Sequence, residues 1–492
     1  MRFLFLILLT SVLDFTCSLL IKEGTIERKT RFLVSTWIMI SGFVFLVVPW
    51  KNENSSIARS SGWIPFLIVT FFVIAANLLY GKVGPFCTER KKKYIYIAGL
   101  SGNLAILGFF KYFNFFIENL DSLLRSLGMN PLGLHLNLIL PVGISFYTFM
   151  SMSYTIDVYK NRIAPVKSFT DYALFVSFFP KLLAGPIERA ANFLPQIQNP
   201  RTIDKDSLIR GAHLIFIGLF KKVVIADGVA QTVQSVFGTS YRISWTDAMI
   251  ATILFTFQIY GDFSGYSDIA TGLSSLLGFR LSKNFNHPYF SRNPSEFWGR
   301  WHISLSSWFR DYVFFPLGGP YGKTVQWIRN VLLTFFVTGL WHGASWNYIV
   351  WGLYHGVLLC LYQAKTLVFG ARKKKRRRNS LWKSSGIFMF FILTSAGWVI
   401  FRSHSMAQVK NIFEVLIFGF KELQFNAVLP TYAAILGLPI WIVIEWLGNK
   451  SRGKRIDEVL PLPAWTAVYA AMIFLFVMSL VAAPSEFIYF VF

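Results

Sequence analysis

Glu296-Phe-Trp-Gly-Arg-Trp-His-Ile-Ser-Leu-Ser-Ser-Trp-Phe-Arg-Asp-Tyr312 is polar and carries a histidine, yet it sits inside a chain that otherwise reads as membrane-embedded. Just upstream lies Asn284-Phe-Asn-His-Pro-Tyr289. Downstream, beyond the turn Pro316-Leu-Gly-Gly-Pro320, an apolar segment carries Leu340-Trp-His-Gly-Ala-Ser-Trp346. Histidine, arginine and aspartate are costly at membrane depth, so in such places they usually serve a pathway or a reaction. If the intervening turn folds the two segments together, His302 and His342 come within reach of one site. The stretch therefore marks an enzyme candidate and not merely a membrane scaffold.

Outward from it, the composition sets the class. With 54% hydrophobic, 18% aromatic and only 15% charged residues, the chain departs from soluble domains towards a multi-pass membrane protein. Apolar runs of bilayer-crossing length, about 20 residues each, fall near 3–21, 32–50, 63–80, 94–117, 137–158, 211–230, 247–261, 325–342, 346–369, 385–402, 428–447 and 464–483. Gly, Pro and polar residues interrupt several of them, so about eleven spans are expected. Broken segments survive in a bilayer only where they pack in protein or line a cavity. The expected fold is thus all-α, a transmembrane bundle with re-entrant and amphipathic helices around a central cavity. Three textures are visible: plain spans over 1–120, a motif-rich core over 130–345, and plain spans again over 346–492. The core is broken by Pro141-Val-Gly143, Phe179-Pro-Lys181, Gly185-Pro186 and Gly261-Asp-Phe-Ser-Gly-Tyr-Ser-Asp268. The longest polar stretch, about Glu188 to Arg210, is too short for a soluble domain, so residues 1–492 read as a single integral-membrane domain.

The net charge of +24 invites a nucleic-acid reading, but its distribution argues against it. Glu89-Arg-Lys-Lys-Lys93, Arg372-Lys-Lys-Lys-Arg-Arg-Arg378 and Lys450-Ser-Arg-Gly-Lys-Arg455 each abut an apolar run, as cytoplasmic loops do under the positive-inside rule. These loops can also anchor on anionic lipid headgroups of the bilayer. Met1 to Ile21 superficially resembles a signal peptide. Asp14 interrupts its apolar core, no small-residue cleavage site follows, and a basic loop comes directly after, so it is read as a retained first helix with its N-terminus outside. Cys17, Cys87 and Cys360 are scattered without Cys-x-x-Cys spacing, which supports neither a disulfide framework nor a metal site. No internal repeat is visible, which weakens a transporter built from duplicated halves.

His342 follows an apolar run that carries no charge back to Arg329. A neutral imidazole there can accept a proton from a hydroxyl while a neighbour holds its other nitrogen. Gly343 and Ala344 are expected to leave room for a substrate, with Trp341 and Trp346 as pocket walls. The alternative is a structural histidine bonded between helices. His302 is expected on an amphipathic helix, sharing a face with Ser306, while Trp301, Leu305 and Trp308 share another. It serves either as a second catalytic group, as a carbonyl-positioning group, or as a partner of Ser306. Arg300 and Arg310, with Asp311, suit a phosphate-bearing donor, since guanidinium matches phosphate oxygens; helix-interface ion pairing is the alternative. Asp262 and Asp268 are candidates for acid–base work or for a structural polar turn. Lys181 either snorkels or lines a polar path. His135, His213, His287, His355 and His404 show no partner pattern and are read as structural.

At this point the motifs gather into one pattern. Leu107-Gly-Phe-Phe-Lys-Tyr-Phe-Asn-Phe-Phe116, Pro141-Val-Gly-Ile-Ser-Phe-Tyr-Thr-Phe149, Ser153-Tyr-Thr-Ile-Asp-Val-Tyr159, Phe178-Phe-Pro-Lys-Leu-Leu-Ala-Gly-Pro186, Asp262–Asp268, Phe297–Ser306 and Leu340-Trp-His-Gly343 resemble the membrane-bound O-acyltransferase (MBOAT) family, in its bacterial alginate O-acetyltransferase branch. The resemblance covers roughly residues 100–365, and the ends only by hydropathy. It implies that His342 is the catalytic histidine and His302 the second important one of this branch. It also implies a ring of helices around a thin centre, where a cytoplasmic acyl donor meets an acceptor from the other face. Met150 and Lys181 stand where related sequences often carry Gln.

The resemblance implies acetyl transfer from a cytoplasmic thioester, acetyl-coenzyme A or another acyl thioester, towards hydroxyls of an exported polysaccharide. An extracytoplasmic acetyltransferase partner can be the intermediate acceptor. No bound cofactor, metal or nucleic acid is expected, and the plasma (inner) membrane is the expected location. Two readings stay open beside it: D-alanyl transfer to teichoic acid within the same family, which the extra C-terminal spans disfavour, and a non-enzymatic transporter of an acyl carrier or polymer.

Overall fold

A computed structural model describes residues 4–48, 63–83, 88–136, 138, 140–238, 243–370, 380–421, 423–451, 456–480 and 487. Among the described residues the regular structure is helical, with no strand. Among the described residues six helices are long and apolar enough to cross a membrane: Leu4–Glu23, Arg28–Val47, Glu89–Ser126, Ser384–Arg402, Tyr432–Lys450 and Leu462–Ser479. The basic loop Arg372–Arg378 lies outside the described residues.

The chain divides into two compact units. The first comprises Met1–Leu183 with Ile187–Thr202, the second Ala184–Pro186 with Ile203–Phe492. The motif-rich stretch at 130–345 is therefore shared between them, and both histidine motifs fall in the second.

The first unit holds α1 (Leu4–Glu23), α2 (Arg28–Gly42, continued by a π-helical turn to Val47), α3 (Trp63–Val83), α4 (Glu89–Ser126) and α5 (Ile144–Tyr159), then α6 (Phe169–Ser177), α7 (Phe179–Leu182) and α8 (Ala190–Gln198). α1 packs on α4 and α5. Its buried Asp14 carboxylate accepts hydrogen bonds from Asn103 Nδ2 at 2.9 and 3.0 Å and from Thr155 Oγ1 at 2.6 Å. A carboxylate buried between helices needs such donors, because leaving it bare costs far more than the bonds return.

The second unit contains α9 (Lys205–Leu219), a π-helical stretch Phe220–Asp227, α10 (Gly228–Phe237) and α11 (Trp245–Leu276). After these come the short α12 (Pro294–Trp298) and α13 (Ile303–Phe309), then α14 (Thr324–His342), α15 (Trp346–Gly370), α16 (Ser380–Arg402), α17 (Met406–Phe418), α18 (Tyr432–Lys450), α19 (Ile456–Val459) and α20 (Leu462–Ser479). α11 begins at a reciprocal cap, in which Ser244 Oγ accepts from Asp247 N at 3.0 Å and the Asp247 carboxylate accepts from Ser244 N.

The expected break at Gly261–Asp268 is absent, because α11 runs through it as a 32-residue helix. Its glycines serve approach, not interruption. A Cβ on Gly265 would lie 2.7 Å from Gly218 O, and one on Gly272 would lie 2.6 Å from Gly211 O. α9 and α11 thus meet backbone to backbone, as small-residue seams allow.

Candidate active site

Two loops build the site in the second unit. Asn286 N donates to Arg300 O at 2.9 Å and Ile303 N to Asn284 O at 2.8 Å. Asn284 Oδ1 accepts from Ser304 Oγ at 2.9 Å, and its Nδ2 donates to Ser267 Oγ at 3.1 Å. Backbone groups engaged this way cannot also close a helical turn, so the expected helix through Arg300–His302 does not form. α13 starts only at Ile303, with His302 as the residue before it in the left-handed region, φ 42° and ψ 54°. Ser306 Oγ bonds Trp301 O at 3.1 Å, so the anticipated pairing with His302 is replaced.

The His302 side chain is fully buried. Phe263 stands perpendicular to it at 4.6 Å between ring centres, Phe285 lies at 6.4 Å and Trp341 at 6.1 Å. Burial pushes the pKa of this imidazole down to about 3, which keeps it neutral.

His342 ends α14 and is 6% exposed. Trp341 and Trp351 each lie 4.9 Å from it and Phe401 5.4 Å, all edge-on. Trp341 therefore packs against both histidines. Trp346 is 54% exposed at the start of α15, and Trp351 and Phe401 flank His342 instead. The space anticipated beside Gly343 is filled: a Cβ there would lie 2.2 Å from the Tyr348 ring. The glycine admits a tyrosine of the same unit, where a substrate had been expected.

The other candidates are dispersed. Asp262 pairs with Lys222 at 2.7 Å, and Lys222 reaches Asp227 at 2.9 Å. Asp268 pairs with Lys221 at 2.9 Å. Arg300 donates to Glu296 at 2.8 Å, to Asn449 Oδ1 at 2.7 Å and to His287 O at 3.4 Å, so its guanidinium is engaged within the protein. Arg310 is 58% exposed in its side chain and pairs with neighbouring Asp311 at 2.9 Å. Lys181 lies in the first unit, buried, with its Nζ 4.3 and 4.2 Å from the ring centres of Phe175 and Phe193. Among the described residues no group of three or more His, Cys, Asp or Glu could hold a metal ion.

His355, read from the sequence as structural, and Lys221 and Lys222 lie among the candidate residues. His355 is fully buried in the same aromatic cluster, 5.0 Å from Trp351 and parallel to Phe297 at 6.0 Å. Its signal was available, since Tyr354-His-Gly356 repeats the aromatic-His-Gly form of Trp341-His-Gly343. Lys221 and Lys222, set inside an apolar run, are the cations that the two aspartates required.

Comparison with known proteins decides the family. The profile of the MBOAT, membrane-bound O-acyltransferase family matches residues 138–421, more than half of the chain. The chain belongs to this family. It is an O-acyltransferase of the membrane, and the match contains both histidine motifs. It is 40% identical over 362 residues to the protein named probable alginate O-acetylase AlgI in Pseudomonas aeruginosa, covering 73% of this chain and 67% of that protein. A peptidoglycan O-acetyltransferase of Helicobacter pylori is 35% identical over 352 residues, covering 66% of this chain and 65% of that protein. A teichoic acid D-alanyltransferase of Bacillus subtilis is 33% identical over 240 residues, 46% of this chain and 60% of that protein. The aligned parts span about two thirds or less of these relatives.

Proposed function

We propose that this acyltransferase moves an acetyl group from a cytoplasmic thioester, acetyl-coenzyme A or another acyl thioester, towards hydroxyls of an exported polysaccharide. His342 is the proposed catalytic base. Its imidazole takes the proton of the attacking hydroxyl as oxygen adds to the thioester carbonyl; the C–S bond then breaks and the proton passes to the departing sulfur. His302, neutral and packed against the same indole, is the proposed partner that positions the carbonyl. The observation that carries this reading is the placement of both histidines against one indole, in a family of O-acyltransferases.

The O-acetylase names of two relatives support acetyl as the group moved and a cell-surface polymer as the acceptor. The acceptor in direct contact is either the polymer or an extracytoplasmic acetyltransferase that relays the group. The protein resides in the plasma (inner) membrane in this reading, with its basic loops on the cytoplasmic side. D-alanyl transfer to teichoic acid is the second reading; relatives with that name align with 46% and 53% of this chain.

The test is the O-acetyl content of the secreted polymer, measured beside the amount of each variant in the membrane. His342→Ala should lower ester formation by roughly 10² to 10⁴ while the protein stays inserted. His342→Gln keeps hydrogen bonding but cannot take up the proton, and should be equally inactive. Normal acetylation in His342→Ala removes the catalytic assignment.

A further inference from the structure

Glu445 is a carboxylate in α18, a helix long and apolar enough to span a membrane, and it belongs to neither histidine motif. A charge there is expensive unless partners hold it. Its partners come from three directions. Tyr260 Oη of α11 donates to Oε2 at 2.6 Å, His287 Nδ1 lies 2.8 Å from the same oxygen, and Lys221 Nζ is 3.4 Å from Oε1.

One of these partners leads to the site. His287, like His302, sits in the left-handed region, at φ 49°. Its segment supplies the edge on which Arg300–Ser304 is laid out, through Asn286 N to Arg300 O and Ile303 N to Asn284 O. A second tether runs beside the first, where Arg300 bridges His287 O and Asn449, four residues beyond Glu445. α18 is also shaped to receive the ring. A Cβ on Gly448 would lie 2.6 Å from His287 Cε1 and 2.9 Å from its Nε2, so only glycine lets the imidazole rest on the helix and face Glu445. Left-handed backbone at a non-glycine residue persists only where the surroundings over-determine it. Here the surroundings of His302 trace back to α18.

We propose that Glu445 is a positioning residue that, through His287, holds the loop carrying His302 in its catalytic geometry. The proposal rests on the functional reading above. Displacing a positioned group by about an ångström can cost on the order of 100-fold in rate, so a loosened loop should slow the reaction without unfolding the bundle.

The experiment is a double-mutant cycle in cells, reading the initial rate of acetyl ester formation per membrane copy of the protein. Glu445→Gln and Gly448→Ala should each lower that rate by about 10- to 100-fold with unchanged membrane level. Glu445→Asp should recover part of the loss. Adding Glu445→Gln to His302→Ala should produce no further loss, because both act on the same group. A double variant whose losses multiply overturns the proposal, since Glu445 then acts independently of His302. So does a fall in membrane level that matches the fall in rate, which marks a merely structural role; Tyr260→Phe, the gentler change, then shows the same proportional fall. If wild-type cells form no acetyl ester, or both histidine variants keep full activity, the functional reading itself fails and this inference fails with it.

Discussion

The ring centre of His302 lies 6.1 Å from that of Trp341, the residue that immediately precedes His342. The indole is thus a shared wall, and whatever positions it positions both imidazoles. Trp341→Phe should retain most activity, because a smaller ring still packs against both histidines. Trp341→Ala should lower acetyl ester formation by about 10- to 100-fold. Polymer O-acetylation per membrane copy is the measurement. Equal activity in all three forms rules out the shared wall.

The two arginines should separate cleanly. Arg300 is committed to Glu296, Asn449 and His287, so Arg300→Ala leaves Glu296 short of a partner. It should destabilise the protein by about 1–3 kcal/mol, read as a lower melting temperature in detergent. Arg310 is exposed, and an exposed ion pair contributes little. If it meets a phosphate-bearing donor, Arg310→Ala should raise the apparent KM for the donor and leave the melting temperature unchanged. An unchanged KM returns Arg310 to simple pairing with Asp311.

The glycine seam gives a packing prediction. In Gly265→Leu the new Cβ would meet Gly218 O at 2.7 Å, backbone that cannot swing aside. The helices must part, taking Lys221 and Lys222 away from Asp268 and Asp262. Loss of the protein from the membrane fraction is the expected result. Gly108→Leu serves as control, since nothing lies within 4 Å of the Cβ position there.

Topology can be read by labelling. A cysteine placed at Asn379, beside the basic run Arg372–Arg378, should react with a membrane-impermeant reagent only after cells are opened, because concentrated Lys and Arg resist translocation. Reaction in intact cells would reverse the assigned orientation.

Much of this was legible in the sequence. The all-helical class followed from composition, and the family from motifs in a fixed order. The candidacy of His342 followed from a histidine on an uncharged apolar run. The rest depended on groups distant in the chain. Gly261 and Gly265 look like helix breakers until the Phe220–Asp227 stretch and α9 are beside them. Gly343 looks like open space until Tyr348 fills it. Arg300–Ile303 looks helical because periodicity does not reveal that Asn286 claims the Arg300 carbonyl and Asn284 the Ile303 amide. Glu445 gave no local signal, since its partners lie 158, 185 and, by subtraction of 221 from 445, 224 residues away.

The left-handed backbone at His302 separates the ring from the chain that bears it. An L-residue at φ 42° is held against its own preference, whereas glycine visits that region freely. His302→Gly and His302→Ala remove the same imidazole and should be equally slow. The glycine variant, relieved of its Cβ, should be the more stable by up to about 1 kcal/mol. Alanine substitution at this position therefore reports two losses at once, and the glycine form is the cleaner measure of what the imidazole alone contributes.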